Sequence, residues 1–563
     1  MASRPPTVAP TAGLPWLQES EDCLPEMGAN RTIAREDRLA QGLLGLALLV
    51  TLLLGVTAGF VRPALYSDSA LGFRVWDSMR QGTPFNHAMN VDPADIARDL
   101  SYFKGAWTPG QYLLPGALEA LGLDLGVSIA IVVTLASLAG LGGWYALYRA
   151  FGFSPRTCSI ALLLVALGRH FGLPFGIYNG GEVLLFGALP WGFLLIWRLR
   201  ALPVWSIPLL LAATAAVTFL KLSGIIFMGA AIAAVVVADP AQPLLGRQTV
   251  RKSLVAGVTL VLSLLLLKWL WLSRGWTAVV PAISIAWSEA IPSAALVIAG
   301  TWTAIFGFGS LVQYVFFFPG RAMLASVTPI NLVLQVPALA TLVFLVVRLR
   351  RAYPDYLRFA LIVTGLATGL LFVMLVSGSP LGDEERHYRP AALLLTVGVV
   401  EAFLGARSLL VRGLFAGLAA LSVLYGVGSW VNHVRHNLQD TLGQRGVRLR
   451  SVPAPVLRFV REIDRPDADG ERPLILVPSP ELALEIRNAR VLTTDADFQS
   501  LAVLASELKP GRVRRLYVVL PLSLERNGKA DAILKSFVDY RPEDWKRTVV
   551  GPAAVYASVP EPR

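Results

Sequence analysis

Apolar residues in this chain gather into long, nearly uncharged runs, without the short period of a half-buried strand or the 3.6-residue period of a surface helix. Examples are Gly42–Val61, Val127–Tyr148, Ile207–Leu220 and Leu254–Leu272. A helix crossing a hydrocarbon core of ~30 Å needs roughly 20 such residues, because lipid offers no partner to an unpaired backbone group. Shorter runs cross by tilting or by thinning the bilayer. The pattern predicts a polytopic α-helical membrane protein of about 11 spans, or 13 if one ambiguous stretch crosses twice. The expected spans are 39–61, 127–148, 158–173, 183–197, 205–220, 224–237, 254–272, 332–347, 359–376, 391–404 and 414–431.

Four regions depart from this pattern. Residues 1–38 are polar and carry Pro5, Pro6, Pro10 and Pro25, the composition of a disordered tail and not of a signal peptide. Residues 62–125 form a long polar loop after the first span. From 432 to 563 the apolar runs become short and alternate between strand-sized and helix-sized, which predicts a small α/β domain. The stretch 273–325 is apolar but broken by Pro281, Pro292 and Pro319. The span after it must run inward to meet Arg348, Arg350 and Arg351, so the stretch crosses an even number of times. Zero crossings, with helices lying in the interface, is the expectation; two is the alternative.

Charge fixes the orientation. The chain carries a net charge of +12 with only 16% charged residues, and its mean hydropathy is +0.58. Basic residues gather beyond alternate runs: Arg149 and Arg156, Arg198 and Arg200, Arg247 with Arg251 and Lys252, Arg407 and Arg412. Arg31, Arg35 and Arg38 precede the first run. This is the positive-inside distribution, which sets the amino terminus in the cytoplasm and the C-terminal domain outside a multi-pass cell membrane protein. It leaves no basic face interleaved with aromatics, so nucleic acid is excluded as a partner. The two cysteines, Cys23 and Cys158, imply no disulfide framework.

Ionisable groups beside the membrane are costly, and they nominate the site. Asp68 falls just beyond the outer end of the first span, where a carboxylate can act as a general base toward a lipid-anchored head group or simply cap the helix beginning at Ser69. Lys221 interrupts the apolar pair Phe219-Leu220 and Leu222, and either snorkels to the interface or meets an anion. Arg386, His387 and Arg389 form a second cationic group, with Asp383, Glu384 and Glu385 available as ion-pair partners, and Arg169-His170 a third. Acting together, such cations would hold a phosphate and stabilise its charge as a bond to it breaks. Trp107 and Tyr112 are candidate sugar or acceptor contacts, with interfacial anchoring as their plain alternative. His433 and His436 lack the further ligands a zinc site needs, and Pro478-Ser479-Pro480 is a strand-to-helix turn and no phosphate loop.

Three features together resemble the first external loop of the GT-C glycosyltransferase superfamily. They are a first span ending near an acid, an amphipathic helix of about 14 residues closing on Gln81-Gly82, and the element Trp107-Thr108-Pro109-Gly110-Gln111-Tyr112-Leu113-Leu114-Pro115. Gly382 to Pro390 resembles that family's Arg-Tyr-Pro-like element before a late inward span. The family includes protein O-mannosyltransferases and the transferases that decorate lipid A with aminoarabinose. The resemblance implies a polyprenyl-phosphate sugar donor, inverting transfer to a hydroxyl on a lipid, glycan or protein acceptor, and Asp68 as the base. Many members carry two adjacent acids where this chain has Asp68-Ser69. The second acid here is Glu182 or Asp77, and no obligatory metal is expected, a divalent ion being the alternative. Lys221, Arg386 and His387 would bind the donor phosphate. The main rival is a transporter or flippase of lipid-linked glycans; such proteins are often built from internal repeats with charged or broken helices at the midplane, and neither is found here. A polymerase or ligase of lipid-linked glycans and a non-enzymatic scaffold are further rivals.

Overall fold

The computed structural model describes residues 23–105, 107–237, 246–275, 287–316, 323–377, 384–450, 452–494 and 499–558. Helices dominate the chain as far as residue 439. They are α1 (Cys23–Val61), α2 (Ser67–Arg80), α3 (Gly110–Ala120), α4 (Leu125–Ala150), α5 (Pro155–Leu167), α6 (Arg169–Gly176), α7 (Gly181–Arg198) and α8 (Ser206–Leu220). There follow α9 (Gly224–Val237), α10 (Arg247–Leu267), α11 (Ala290–Phe306), α12 (Gly309–Phe316), α13 (Met323–Leu349), α14 (Pro354–Val376), α15 (Arg389–Leu404) and α16 (Leu409–Gln439).

Among the described residues, eight helices are long and apolar enough to cross a membrane, nine if the bent pair α5–α6 counts as one. The expected spans at 205–220, 224–237 and 391–404 are α8, α9 and α15, whose 15, 14 and 16 residues fall short of a full crossing. The stretch 273–325 was expected to lie in the interface, yet it contains a helix of spanning length and apolarity, Trp287–Phe306. Pro292 does not break it, because a proline in the first turn gives up no intrahelical hydrogen bond. Gly307, at φ 72°, ends it in the left-handed conformation that glycine tolerates. A second correction lies at the amino terminus. Helix α1 begins at Cys23, so residues 23–38 are helical where a disordered tail was expected. Once the apolar run has nucleated a helix, extending it through Ala34, Arg35 and Glu36 is cheap. Residues 1–22 lie outside the described residues, as do Pro281, Pro319 and Asp383.

Helices α4, α7 and α11 bury 56%, 61% and 67% of their apolar windows, whereas α10, α13 and α16 bury 22%, 17% and 17%. The first set is the centre of the bundle and the second is its lipid-facing rim. Close packing of α4 on α7 depends on small residues: a Cβ at Gly140 would stand 2.2 Å from the Phe186 ring, and one at Gly187 2.7 Å from the Ala136 carbonyl. The 44° bend between α5 and α6 falls at Gly168. There Gly426 of α16 passes so near that a Cβ would lie 2.2 Å from the Leu167 carbonyl oxygen.

One end of the bundle is laced by a small sheet of order β4-β1-β6-β5. Strand β1 (Ala64–Leu65) follows α1, β4 (Ile177–Tyr178) follows α6, and β5 (Thr441–Leu442) with β6 (Arg448–Leu449) follows α16. Three helix exits therefore share one face, as alternating passage requires. On that face β2 (His87–Asp92) and β3 (Asp95–Phe103) form a hairpin. The C-terminal domain is a five-stranded sheet of order β10-β11-β9-β7-β8. Its strands are β7 (Leu474–Val477), β8 (Arg490–Thr493), β9 (Leu516–Pro521), β10 (Trp545–Val550) and β11 (Ala553–Ser558). Val91 and Ile96 of the hairpin share a hydrophobic core with Leu474, Leu476 and Val518 of this sheet. The first loop and the C-terminal domain are thus one packed layer over the bundle.

Candidate active site

The site forms where four connections converge on this face. A single 3₁₀ turn, Glu385–His387, precedes α15. It projects Arg386 between the first turn of α2, the first turn of α7 and the α8–α9 turn. The Arg386 guanidinium lies 3.2 Å from Glu182, 2.9 Å from Glu384 and 3.6 Å from Asp68. Lys221 Nζ donates to Glu182 at 2.7 Å. The hydroxyl of Tyr66, whose ring lies 5.2 Å from the Arg386 guanidinium carbon, donates to Glu384 at 3.1 Å. The result is one chain of alternating charge, Lys221–Glu182–Arg386–Asp68.

Backbone conformation sets the acids. Gly180 takes φ 80° and ψ −119°, and a Cβ there would meet the Gln111 side chain at 2.3 Å, so glycine is required for the turn that presents Glu182. Asp68 lies in the first turn of α2, where its charge suits the helix dipole. It does not cap the helix: the N-cap is Tyr66, with no side-chain cap bond. Asp68 also makes the longest of the three Arg386 contacts, and of the three carboxylates around that guanidinium it is the one that lines the cavity described below.

Electrostatics follow burial. The Tyr66 hydroxyl is pushed up to about 12, by burial and then by the Glu384 carboxylate. Burial alone would lower Arg386, but Glu182 and Glu384 outweigh it and hold the guanidinium charged. His387 is held down to about 3, first by burial and then by the Lys221 and Arg386 charges, so it is a neutral imidazole near pH 7. Both its ring nitrogens are buried without a hydrogen-bond partner.

Asp68, Lys221, Arg386, His387 and Trp107 line a cavity of about 420 Å³ whose other wall is Ile225, Ile226, Leu267, Leu272, Leu370 and Met374. Its apolar flank is made by α9, the α10 end and α14, and its charged end by the connections above. Such a shape accepts a molecule with a long hydrocarbon part and an anionic head. Not every candidate reaches it. Tyr112 is 1% exposed and its hydroxyl bonds Asn86, so it packs α3 on the loop and does not line the cavity. Asp77 pairs with Arg445 at 2.7 Å, as does Glu119, tying α2 and α3 to the segment after α16. Arg389 donates to the Ala304 carbonyl, and Arg169 to Ser310. His170 Nε2 lies 2.8 Å from Glu385 behind the turn, where it anchors Arg386 and His387. Among the described residues no three His, Cys, Asp or Glu side chains converge as a metal site. Residues that sequence reasoning did not single out are Tyr66 and Gln111; the only signal was their adjacency to Asp68 and Tyr112.

No protein-family model matches the sequence, and no curated protein is similar to it by sequence. Solved structures do match. ArnT from Cupriavidus metallidurans bound to undecaprenyl phosphate aligns over 93% of this chain and 99% of its own, with 15% identity and a TM-score of 0.50. This chain shares the fold of that ArnT structure. The arabinofuranosyltransferase AftD from Mycobacteria aligns over 92% of this chain and 41% of its own, with 15% identity and a TM-score of 0.44.

Proposed function

We propose that this protein is an inverting glycosyltransferase that moves a sugar from a polyprenyl-phosphate donor to a hydroxyl of a lipid, glycan or protein acceptor. The observation that carries the reading is the cavity in which an apolar flank runs into Lys221, Arg386 and His387 beside an open Asp68. The prenyl chain would lie along α9, α10 and α14 in contact with membrane lipid. The phosphate would meet Lys221 and Arg386, whose charge offsets that of the departing phosphate, and His387 would donate to it from its neutral ring. Asp68 would take the proton of the acceptor hydroxyl as that oxygen attacks the anomeric carbon on the face opposite the phosphate. Trp107 would stack on a sugar ring. Glu182 serves as the second acid by holding Lys221 and Arg386, both at its Oε1; no obligatory metal is part of the proposal. A structural neighbour that carries undecaprenyl phosphate in the same fold supports the donor class. The basic residues at the opposite ends of the spans support a position of this face outside the cytoplasm.

The test is transfer of label from a panel of polyprenyl-phosphate sugars in membranes holding wild type or Asp68→Asn at matched expression. Transfer by wild type and a loss of at least about 100-fold in the variant supports the reading. Equal transfer by both removes Asp68 as the base. No transfer by either, with a lipid-linked sugar still crossing the bilayer, would replace the enzyme with a transporter.

A further inference from the structure

The C-terminal domain holds a second cavity, of about 450 Å³, that has no part in the site above. Its position follows from the strand order. Strands β8 and β9 lie on opposite sides of β7, and both run parallel to it. The chain leaves β7 at Pro478 toward β8, and leaves β9 at Leu522 toward β10 and β11. Two connections that diverge in this way open a crevice at the carboxyl ends of the strands, which is where open α/β sheets bind ligands. The cavity lies there: Pro478 and Ser479 line it from the first connection, Leu522 and Ser523 from the second.

Its chemistry is one-sided. The lining contains the guanidinium groups of Arg450 and Arg526, both on exposed residues, and no carboxylate. Glu481, the acid that interacts with Arg450 from beneath the floor, is buried; burial pushes its carboxyl up, and its Oε2 is bonded to the Ser479 hydroxyl. Arg450 also interacts with Asp440 and His433 at the end of α16, so the crevice opens at the membrane-proximal edge of the domain. The remaining walls are apolar, among them Val456, Leu482 and Val519, and the volume falls in the range of small-molecule pockets. An apolar floor fits the C–H face of a sugar ring, and two arginines in a lining without a carboxylate fit a forked anion.

We propose that this crevice binds a sugar unit bearing a phosphate or carboxylate, presented by the acceptor. The anion preference stands on the lining alone, while the assignment to a sugar acceptor rests on the transferase reading.

The test uses the full-length protein in nanodiscs of zwitterionic lipid. Binding of glucose 6-phosphate, glucuronic acid, glucose and inorganic phosphate is measured by calorimetry, with no donor present. The two anionic sugars are expected to bind at least about 10-fold tighter than glucose, the size of one charge-assisted hydrogen bond. Arg450→Gln and Arg526→Gln are each expected to weaken them about 3- to 10-fold, while Arg541→Gln, at an exposed arginine away from the crevice, leaves them unchanged. Glucose binding as well as glucose 6-phosphate, or binding untouched by both crevice substitutions, overturns the proposal. Binding that only Lys221→Met abolishes belongs to the membrane cavity and overturns it too. Inorganic phosphate as tight as glucose 6-phosphate overturns the sugar half. A protein that binds in this way yet transfers no label keeps the site and loses its assignment to the acceptor.

Discussion

Lys221 offers the sharpest separation of structure from function, because one side chain has two partners in prospect. In the free protein its ammonium lies 2.7 Å from Glu182, with 20% and 13% of the two side chains exposed. In the proposed complex it also meets the donor phosphate. Lys221→Met keeps the length and apolar stem of the side chain but deletes the charge. Breaking a buried pair costs about 3–5 kcal/mol when the surviving charge is left alone. Here Glu182 retains Arg386 at 3.2 Å, so the stability loss falls at or below about 3 kcal/mol. Loss of one charge-assisted bond to phosphate costs about 1.5–3 kcal/mol, which is roughly 10- to 150-fold in donor affinity. The informative variant is the double one, Lys221→Met with Glu182→Gln, which also removes the carboxylate that has lost one of its two cations. Undecaprenyl phosphate binding and thermal inactivation are measured on both variants in nanodiscs. The double variant is expected to regain most of the stability lost by Lys221→Met and none of the lipid affinity. Recovery of both to wild-type values would refute the reasoning: Lys221 would then be a structural partner of Glu182 and no phosphate ligand.

Four further outcomes follow from the same geometry. Because His387 is held down to about 3, the folded protein refuses a proton that the unfolded chain accepts below about 6.5. Stability attributable to this residue is therefore complete above about 6.5 and falls with pH between about 6.5 and 3, no more steeply than about 1.4 kcal/mol per unit. His387→Gln should flatten that acid limb in a melting series from pH 4 to 8, and an unchanged limb would remove the buried neutral histidine. Arg445 holds Asp77 and Glu119 at 2.7 Å each, so Arg445→Met should cost about 3 kcal/mol or more and lower the melting temperature. Asp77→Asn should cost less and leave transfer within about threefold of wild type, whereas a loss as deep as that of Asp68→Asn would restore Asp77 as a catalytic acid. Gly180→Ala forces a side chain into φ 80° against Gln111; a loss of about 1–3 kcal/mol is expected, together with reduced transfer as Glu182 shifts, and a neutral result would discount the turn.

Much of the membrane domain is legible because lipid imposes a rule that composition must obey. Uncharged runs of spanning length find few other uses, and the spans centred on α1, α4, α7, α10, α13, α14 and α16 all recur in the structure. The rule fails where two readings of one residue compete. Pro292 looks like a helix breaker until its place in the first turn of α11 is known, and nothing in the local pattern fixes that place. The hairpin β2–β3 was missed for another reason. Its outward residues, such as Asp95 and Asp99, make it look like a polar loop, and only the core it shares with β7 and β9 makes it a stable pair of strands.

The sequence nominates members of the candidate site one residue at a time but not their arrangement. Asp68 is nominated by its distance from the end of a span, and Lys221 by its intrusion into apolar sequence. Neither argument links Lys221 to Glu182, 39 positions away, or places Glu384 beside Tyr66, 318 positions away. One distinction, however, was already in the sequence. Asp68 and Asp77 occupy one helix nine positions apart, and at about 100° per residue nine positions turn through two and a half circuits. The two carboxylates must therefore face opposite sides of α2. If Asp68 faces the cavity, Asp77 faces away from it, and it does so against Arg445. Helical phase alone therefore favours Glu182 over Asp77 as the second acid. Glu182 needs a separate backbone element to bring it near Asp68, and the left-handed turn at Gly180 is that element.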